Sequence, residues 1–346
     1  MLRSLYAGVS AIKVNQAKLD VIANNIANVG TTAFKSSRVR FKDMISQSVT
    51  ESAAPGTNQG GVNLKQVGQG VQLSGIDTMV GQGMMQPTSR NLDVAMDGEG
   101  YLMVGKGAIP AGDGTPAGQE GVTLGGDYSV DDSNGLELFY TRDGALTLDK
   151  SGNLLNSDGL RVLGYAVSDG TNTSLTYDAT GNPILKYADA NATNITTGQQ
   201  LIPLAIPDKI QDPTDPTKTL RIISFSIERD GSIKGVLEDG KVSVLGQVAT
   251  SAFKNPAGLA KVGGNLYSTS SNSGEAVVRT GVTTSTVAYD NSKGYGDMLS
   301  GMLEMSNVDL AEQFTDMIIT QRAFQAAGKT ITTGDEILQE IINLKR

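Results

Sequence analysis

The sequence contains no cysteine and no histidine. With them go disulfides, thiolate nucleophiles, imidazole general bases and the ordinary zinc-ligand sets, and few enzyme classes remain. Tryptophan is absent as well, phenylalanine occurs 7 times, and only 39% of the 346 residues are hydrophobic, so a modest core is expected. No uninterrupted apolar run reaches the roughly 18 residues that a membrane-spanning helix requires. The N-terminal stretch from Met1 to Ala7 does not develop into the apolar segment of a cleaved signal peptide, because Ser10, Lys13, Asn15 and Gln16 interrupt it at helical spacing. An extracellular destination would therefore call for a route that reads no such signal. Basic residues are the minority, 28 against 36 acidic, and no Lys/Arg cluster stands out. Nucleic acid is not an expected partner.

Glycine is abundant, with 42 residues, and Asp-Gly recurs at Asp97, Asp113, Asp143, Asp158, Asp169, Asp230 and Asp239. Several of these pairs divide alternating apolar segments such as Ala145-Leu146-Thr147-Leu148 and Ser224-Phe225-Ser226-Ile227, the pattern of β-hairpins. The two ends differ from this middle. Leu2, Leu5, Val9, Ile12, Leu19 and Ile26 hold alternating gaps of three and four, with Gln16 and Ala23 in the remaining seam positions. That is a heptad stripe on a helix, and Gly30 offers a left-handed stop. At the other end Leu310, Met317, Phe324, Ile331 and Leu338 recur every seven residues, with Phe314 and Ile342 on companion positions. Ser306-Asn307-Val308-Asp309 precedes this run as a helix-start signal of the capping-box kind. Gln321, Gly328 and Asp335 are poor seam residues for a two-stranded coiled coil, and suit a crowded assembly of many helices better.

The expected fold is α+β: paired N- and C-terminal helices forming a coiled-coil-like rod, with a central domain of antiparallel strands and hairpins. The expected boundaries are 1–30 and 306–346 for a helical polymerisation domain, 31–75 and 286–305 for an extended connector, and 76–285 for a β-rich outer domain. Within that domain, 105–134 and 166–219 read as loop excursions, too poor in apolar residues for cores of their own. An ordinary surface helix packed on its own domain is the plainer alternative for either end. Two other motifs come to nothing. Asp149-Lys150-Ser151-Gly152-Asn153 lacks the glycine and glutamate of a calcium loop, where Leu154 and Leu160 stand instead. Gly68-Gln69-Gly70 has Leu73 in place of the third glycine of a dinucleotide fingerprint. Neither catalysis nor a cofactor nor a metal is expected.

Five blocks of the sequence resemble the flagellar rod and hook family of axial proteins, in family order along nearly the whole chain. The first is Ile22 to Lys35, in which Asn24, Asn25 and Asn28 end a helix and Phe34-Lys35 follow, with Ala33 where the family usually has glycine. Asn91 to Tyr101, Tyr140 to Gly144, and Leu245 to Val248 with Asn255 to Leu259 come next. The last runs from Ser306 through Asn307 and Asp309 to Gln325. The resemblance implies a structural subunit of the bacterial flagellum. Phe225 to Gly235 and the closing Asn343-Leu344-Lys345-Arg346 look more like hook than distal rod subunits, so a hook is the expected assembly and the distal rod the alternative. A secreted adhesin is the competing reading from another class. The implied partners are further copies of the chain, the distal rod protein, the hook cap, the hook–filament junction protein and the flagellar export apparatus. Phe41 to Ile45 resembles the Phe-x-x-x-hydrophobic element with which early flagellar substrates engage the export gate, which implies type III export without a cleaved signal. A short local burial of Phe41 and Ile45 is the other explanation for that motif.

Overall fold

The computed structural model describes residues 2–52, 54–56, 60–107, 121–170, 172–178, 181–192, 194–212, 218–283 and 290–344. Asp113, and with it some of the 105–134 excursion, lies outside the described residues. The fold is largely antiparallel β-sheet with one long helix at each end, α1 (Leu2–Ala27) and α2 (Leu310–Leu344). The chain divides into two compact units: residues 1–30, 35–81 and 307–346 form the first, residues 31–34 and 82–306 the second.

In the first unit α1 and α2 lie against each other in opposite directions. Asn25 Nδ2 donates to Gln313 Oε1 at one end (3.0 Å), Lys18 pairs with Asp316 at 3.2 Å, and Leu5 meets Gly334 near the other. The start of α2 differs in detail from the sequence reading. Asp309 itself is the cap, its Oδ1 accepting from the amides of Ala311 (2.8 Å) and Glu312 (3.3 Å); the acidic partner in the first turn is Glu312. Nor is Gly30 left-handed. The chain reverses three residues later at Ala33, whose φ is 54°, because Asn28 already satisfies the helix end by donating to the carbonyl and side chain of Asn24, both at 2.9 Å.

Residues 37–78, most of which belong to the stretch 31–75 expected as a connector, carry four paired strands. β1 (Ser37–Asp43) runs antiparallel to β4 (Val71–Thr78), and between them β2 (Ser46–Thr50) pairs with β3 (Lys65–Gly68). β1 alternates Arg38, Arg40 and Lys42 with Val39 and Phe41, and β4 carries Val71, Leu73 and Ile76 among polar residues. Residues 41–50 are exposed throughout.

The second unit is built on one continuous antiparallel sheet. Its main path runs Lys209–Gln211, Thr219–Ile227, Ser232–Leu237, Val242–Val248, Arg161–Ser168, Tyr101–Lys106, Glu137–Thr141, Leu266–Ser268 and Ala260–Gly263. The Asp-Gly pairs do the turning where both flanks are strands: Gly231 (φ 84°) joins Thr219–Ile227 to Ser232–Leu237, and Gly240 (φ 75°) carries that strand into Val242–Val248. Asp143-Gly144 is not such a turn, since the Gly144 carbonyl accepts from Val94. Two clusters of buried residues form the core. One gathers Val104, Leu154, Val162, Leu204, Ile210, Ile233 and Leu245; the other Met103, Tyr140, Leu163, Tyr165, Leu201 and Tyr267. Leu175, Tyr177, Leu185, Leu201, Leu204 and Ile210 come from the stretch expected as a loop excursion, 166–219, and all six are buried. They need no core of their own, because Thr196–Pro203 pairs with Arg161–Ser168 and joins the common one.

Candidate assembly surface

The face of α2 turned toward α1 is made of small and polar residues. Its buried positions are Thr320, Ala327 and Gly334, seven residues apart, and Gln313, one heptad earlier, is the partner of Asn25. α1 matches this with Gly8, where an added Cβ would stand 2.9 Å from Thr330 Oγ1 and 3.0 Å from Ile331 Cγ1. Its most buried apolar residues are Val14 and Ile22. Large side chains of one helix thus seat over glycines of the other, Ile331 over Gly8 and Leu5 over Gly334.

The large apolar residues are left on the flanks. Of the stripe expected on α1, Leu5, Ile12, Leu19 and Ile26 are half-buried and Val9 is exposed, while the side chain of Leu2 lies outside the described set. Of that on α2, Met317, Ile331 and Leu338 are half-buried, whereas Leu310, Phe314, Phe324 and Ile342 are exposed. Ile318, Ile319, Ile337, Ile341 and Leu344, which the heptad reading did not single out as seam residues, are exposed too. Ile318 keeps 60% of its surface in water and Ile342 67%. That is a large share of apolar side chain left in water on one helix. The signal that could have separated seam from flank was the seven-residue recurrence of Thr320, Ala327 and Gly334.

The expected signature residues hold the chain where it leaves the helices. Asn25 is buried, accepts from the Ser37 amide (3.0 Å) and donates to its carbonyl (2.9 Å). Lys35, also buried, donates from Nζ to the Gly81 carbonyl at 2.9 Å. Asn307 accepts from Ser36 N (2.8 Å) and donates to the carbonyls of Met79 (2.8 Å) and Gly81 (3.2 Å). Phe34 packs in the β unit with the Lys261 ammonium 5.1 Å from its ring centre. There, too, Thr32 donates to Asp143 Oδ1 at 3.2 Å and Asn265 Nδ2 to the Thr32 carbonyl at 2.9 Å. Phe41 sits on β1 opposite Leu73, and Ile45 lies between β1 and β2; both side chains are exposed.

The chemistry of the β unit is that of a closed interior. Arg142 and Glu304 form a buried pair at 3.4 Å; Arg142 also donates to the Gly98 carbonyl at 2.6 Å, and Gly83 N donates to Glu304 at 2.8 Å. Burial pushes the phenol of Tyr140 up to about 12, and raises those of Tyr165, Tyr177 and Tyr267 above the ordinary phenol range. Among the described residues no cluster of acidic side chains is placed to hold a metal ion, and no helix is long and apolar enough to cross a membrane.

Comparison with known proteins places these features among flagellar proteins. A family of flagella basal body rod proteins matches residues 5–35, the D1 domain of flagellar hook protein FlgE/F/G matches residues 125–235, and the C-terminal domain of flagellar basal body rod FlgEFG proteins matches residues 299–344. The flagellar basal-body rod protein FlgG of Bacillus subtilis is 40% identical over 346 residues, the whole of both chains. The flagellar hook protein FlgE of Borreliella burgdorferi is 31% identical in an alignment of 479 residues that also takes in the whole of both. That alignment is longer than this chain, so the hook relative carries segments that are missing here. A solved flagellar hook protein of Helicobacter pylori, FlgE2, matches over 64% of this chain with 12% identity and a TM-score of 0.35, a likeness too low to argue from.

Proposed function

The chain belongs to the flagellar rod and hook family of axial structural proteins, and from that premise we propose that it is a hook subunit whose terminal helices drive assembly into a curved tube. Membership makes it a structural component of the bacterial flagellum. The observation that carries the finer reading is the helix pair: a small-residue seam between α1 and α2, with large apolar side chains facing outward on both flanks of α2. At about 1.5 Å per residue α1 is about 39 Å long and α2 about 52 Å, and Leu5 already lies against Gly334. Ile341, Ile342 and Leu344 therefore run on past α1 and find their partners on neighbouring subunits. Contacts of this head-to-tail kind do not close on themselves and generate an open helical polymer. In that polymer the helices pack in a coiled-coil-like bundle around a channel, and the β units form the outer wall.

The distal rod is the second reading, favoured by the 40% identity to a rod protein over the whole of both chains and by the segments that the hook relative has in addition. Negative-stain microscopy of the concentrated, purified chain separates the readings. Curved, supercoiled tubes support the hook and straight ones the rod. Particles that never elongate would remove both.

The remaining expectations complete the proposal. The subunit leaves the cell by the flagellar type III pathway, its exposed Phe41 and Ile45 engaging the export gate, and it meets the distal rod protein, the hook cap and the hook–filament junction protein at the ends of the tube. Phe41→Ala should stop secretion while the purified variant still polymerises. Loss of both would make Phe41 a structural residue.

A further inference from the structure

Within the β unit the strand Glu137–Thr141 is paired unevenly. Along one side Tyr101–Lys106 faces all of its residues, whereas on the other Leu266–Ser268 meets only Tyr140 and Thr141. From Thr269 onward the chain diverges, and among the described residues no strand covers the edge of Glu137, Leu138 and Phe139 on that side. A hollow of about 630 Å³ opens where the partner strand is missing. Leu136, Leu138 and Tyr140, alternate residues on one face of the chain, line it together with Ala276. Tyr140 is 2% exposed, and its hydroxyl has no hydrogen-bond partner among the described residues. With its phenol pushed up to about 12 it is a neutral donor at ordinary pH. The rim carries acid and no base: Glu275 stands on it, the exposed Asp131, Asp132 and Glu137 lie on the segments that form it, and neither lysine nor arginine is among its lining residues.

We propose that this edge and hollow form a docking slot for an extended, basic segment of another polypeptide chain. A strand edge with unpaired amides and carbonyls is a template for one more strand. A segment laid beside Glu137–Phe139 completes the sheet where Leu266–Ser268 stops, and its alternate side chains cover Leu136 and Leu138. Those side chains gain from being apolar, and the Tyr140 hydroxyl supplies a donor to a carbonyl at the end of the slot. The intervening side chains face the rim, whose carboxylates favour lysine or arginine and repel acid. The sheet is not open in this way everywhere. At the end of its main path Ala260–Gly263 carries Lys261 and a register shift before Gly263, and a charge and a bulge are the devices that discourage pairing at an edge.

Fluorescence anisotropy on the full chain tests the slot with a short dye-labelled peptide of alternating valine and lysine. That peptide should bind, and its counterpart with glutamate for lysine should not. N-methylation of every backbone amide, which removes the donors of the added strand, should weaken binding roughly tenfold. Glu275→Arg should weaken it on the order of tenfold, and Tyr140→Phe about threefold. Ser271→Trp, at an exposed position that lines the hollow, should abolish it by filling the slot. Circular dichroism of each variant, matching that of the parent chain, shows that the sheet is intact. Equal binding of the N-methylated peptide would overturn strand addition, and equal binding of the glutamate peptide would overturn the charge preference. Unchanged binding to the Ser271→Trp chain, or no binding of the valine–lysine peptide to the parent, would overturn the slot itself. None of these outcomes depends on whether the polymer is a hook or a rod.

Discussion

The two units handle their apolar residues in opposite ways. In the β unit residues such as Val104, Leu154, Val162, Leu163 and Leu201 are fully buried, and the sheet closes over two clusters of them. In the helix-bearing unit Phe41, Ile45, Val49, Phe314, Ile318, Ile342 and Leu344 face water. Burial of this kind stabilises by about 25 cal/mol per Å². The β unit has therefore realised its hydrophobic stabilisation within one chain. The helices leave theirs in water, which is the arrangement that the proposed assembly requires of a subunit that folds alone and assembles later.

Alkali should strike one side of that contrast hardest. The phenols of Tyr140, Tyr165, Tyr177 and Tyr267 are all buried in the β unit and raised by that burial, while the ring of Tyr6 on α1 is exposed. Below about pH 10 the phenols are neutral in both folded and unfolded chains and do not affect stability. Above it the unfolded chain ionises first, and each buried phenol removes about 1.4 kcal/mol per pH unit until the folded form titrates as well. The β unit should thus unfold steeply between about pH 10 and 12. Sheet content that circular dichroism finds intact at pH 12 would show that the tyrosines are more accessible than the packing implies.

A charge on the helix flank tests the other side. Phe324→Asp should raise the critical concentration for polymerisation at least a hundredfold, because a carboxylate in an apolar contact costs about 3 kcal/mol or more. The melting temperature of the monomer should stay where it was. A clear fall would mean that α2 serves the stability of its own chain.

The smallest effect belongs to Ala33, which is buried at φ 54°. Relief of left-handed strain favours glycine there by about 1–2 kcal/mol, and the lost methyl burial and added chain freedom offset most of it. Ala33→Gly should shift the unfolding free energy by less than about 1 kcal/mol. Ala33→Val, with a branched side chain in the same conformation, should destabilise by more than about 2. Equal values for the two in denaturant titrations would dissociate the turn from the stability of the β unit.

How much of this could be read in advance follows the same division. The two helices were legible because heptad spacing repeats over many turns, and the hairpins because Asp-Gly is a strong local signal, as at Asp230 and Asp239. The inclusion of Leu175 to Ile210 in the common core was not legible. Of its strands Thr196–Pro203 pairs back to Arg161–Ser168 and Lys209–Gln211 pairs onward to Thr219–Ile227, and proline and glycine between them imitate a loop. The face of α2 that meets α1 also went unread, since periodicity locates large apolar residues and gives no weight to Ala327 or Gly334. Of the signature, Asn25, Lys35 and Asn307 were singled out by resemblance alone; their shared task of bonding backbone amides and carbonyls appears only in the folded chain.

The narrow seam between α1 and α2 carries one more consequence. At Gly8 and Gly334 a single added carbon would come within 2.9 and 2.8 Å of side chains of the facing helix, so the partner has already taken up the space that a methyl group would need. A methyl group there acts as a shim. In one molecule it would push the helices apart by a fraction of their spacing, but in a tube every subunit would carry the same shim, and the error would be summed around the circumference. If the proposed tube forms, the positions with the least chemistry in the chain are the ones where its calibre would be set, and tolerance to substitution should be lowest where the side chains are smallest.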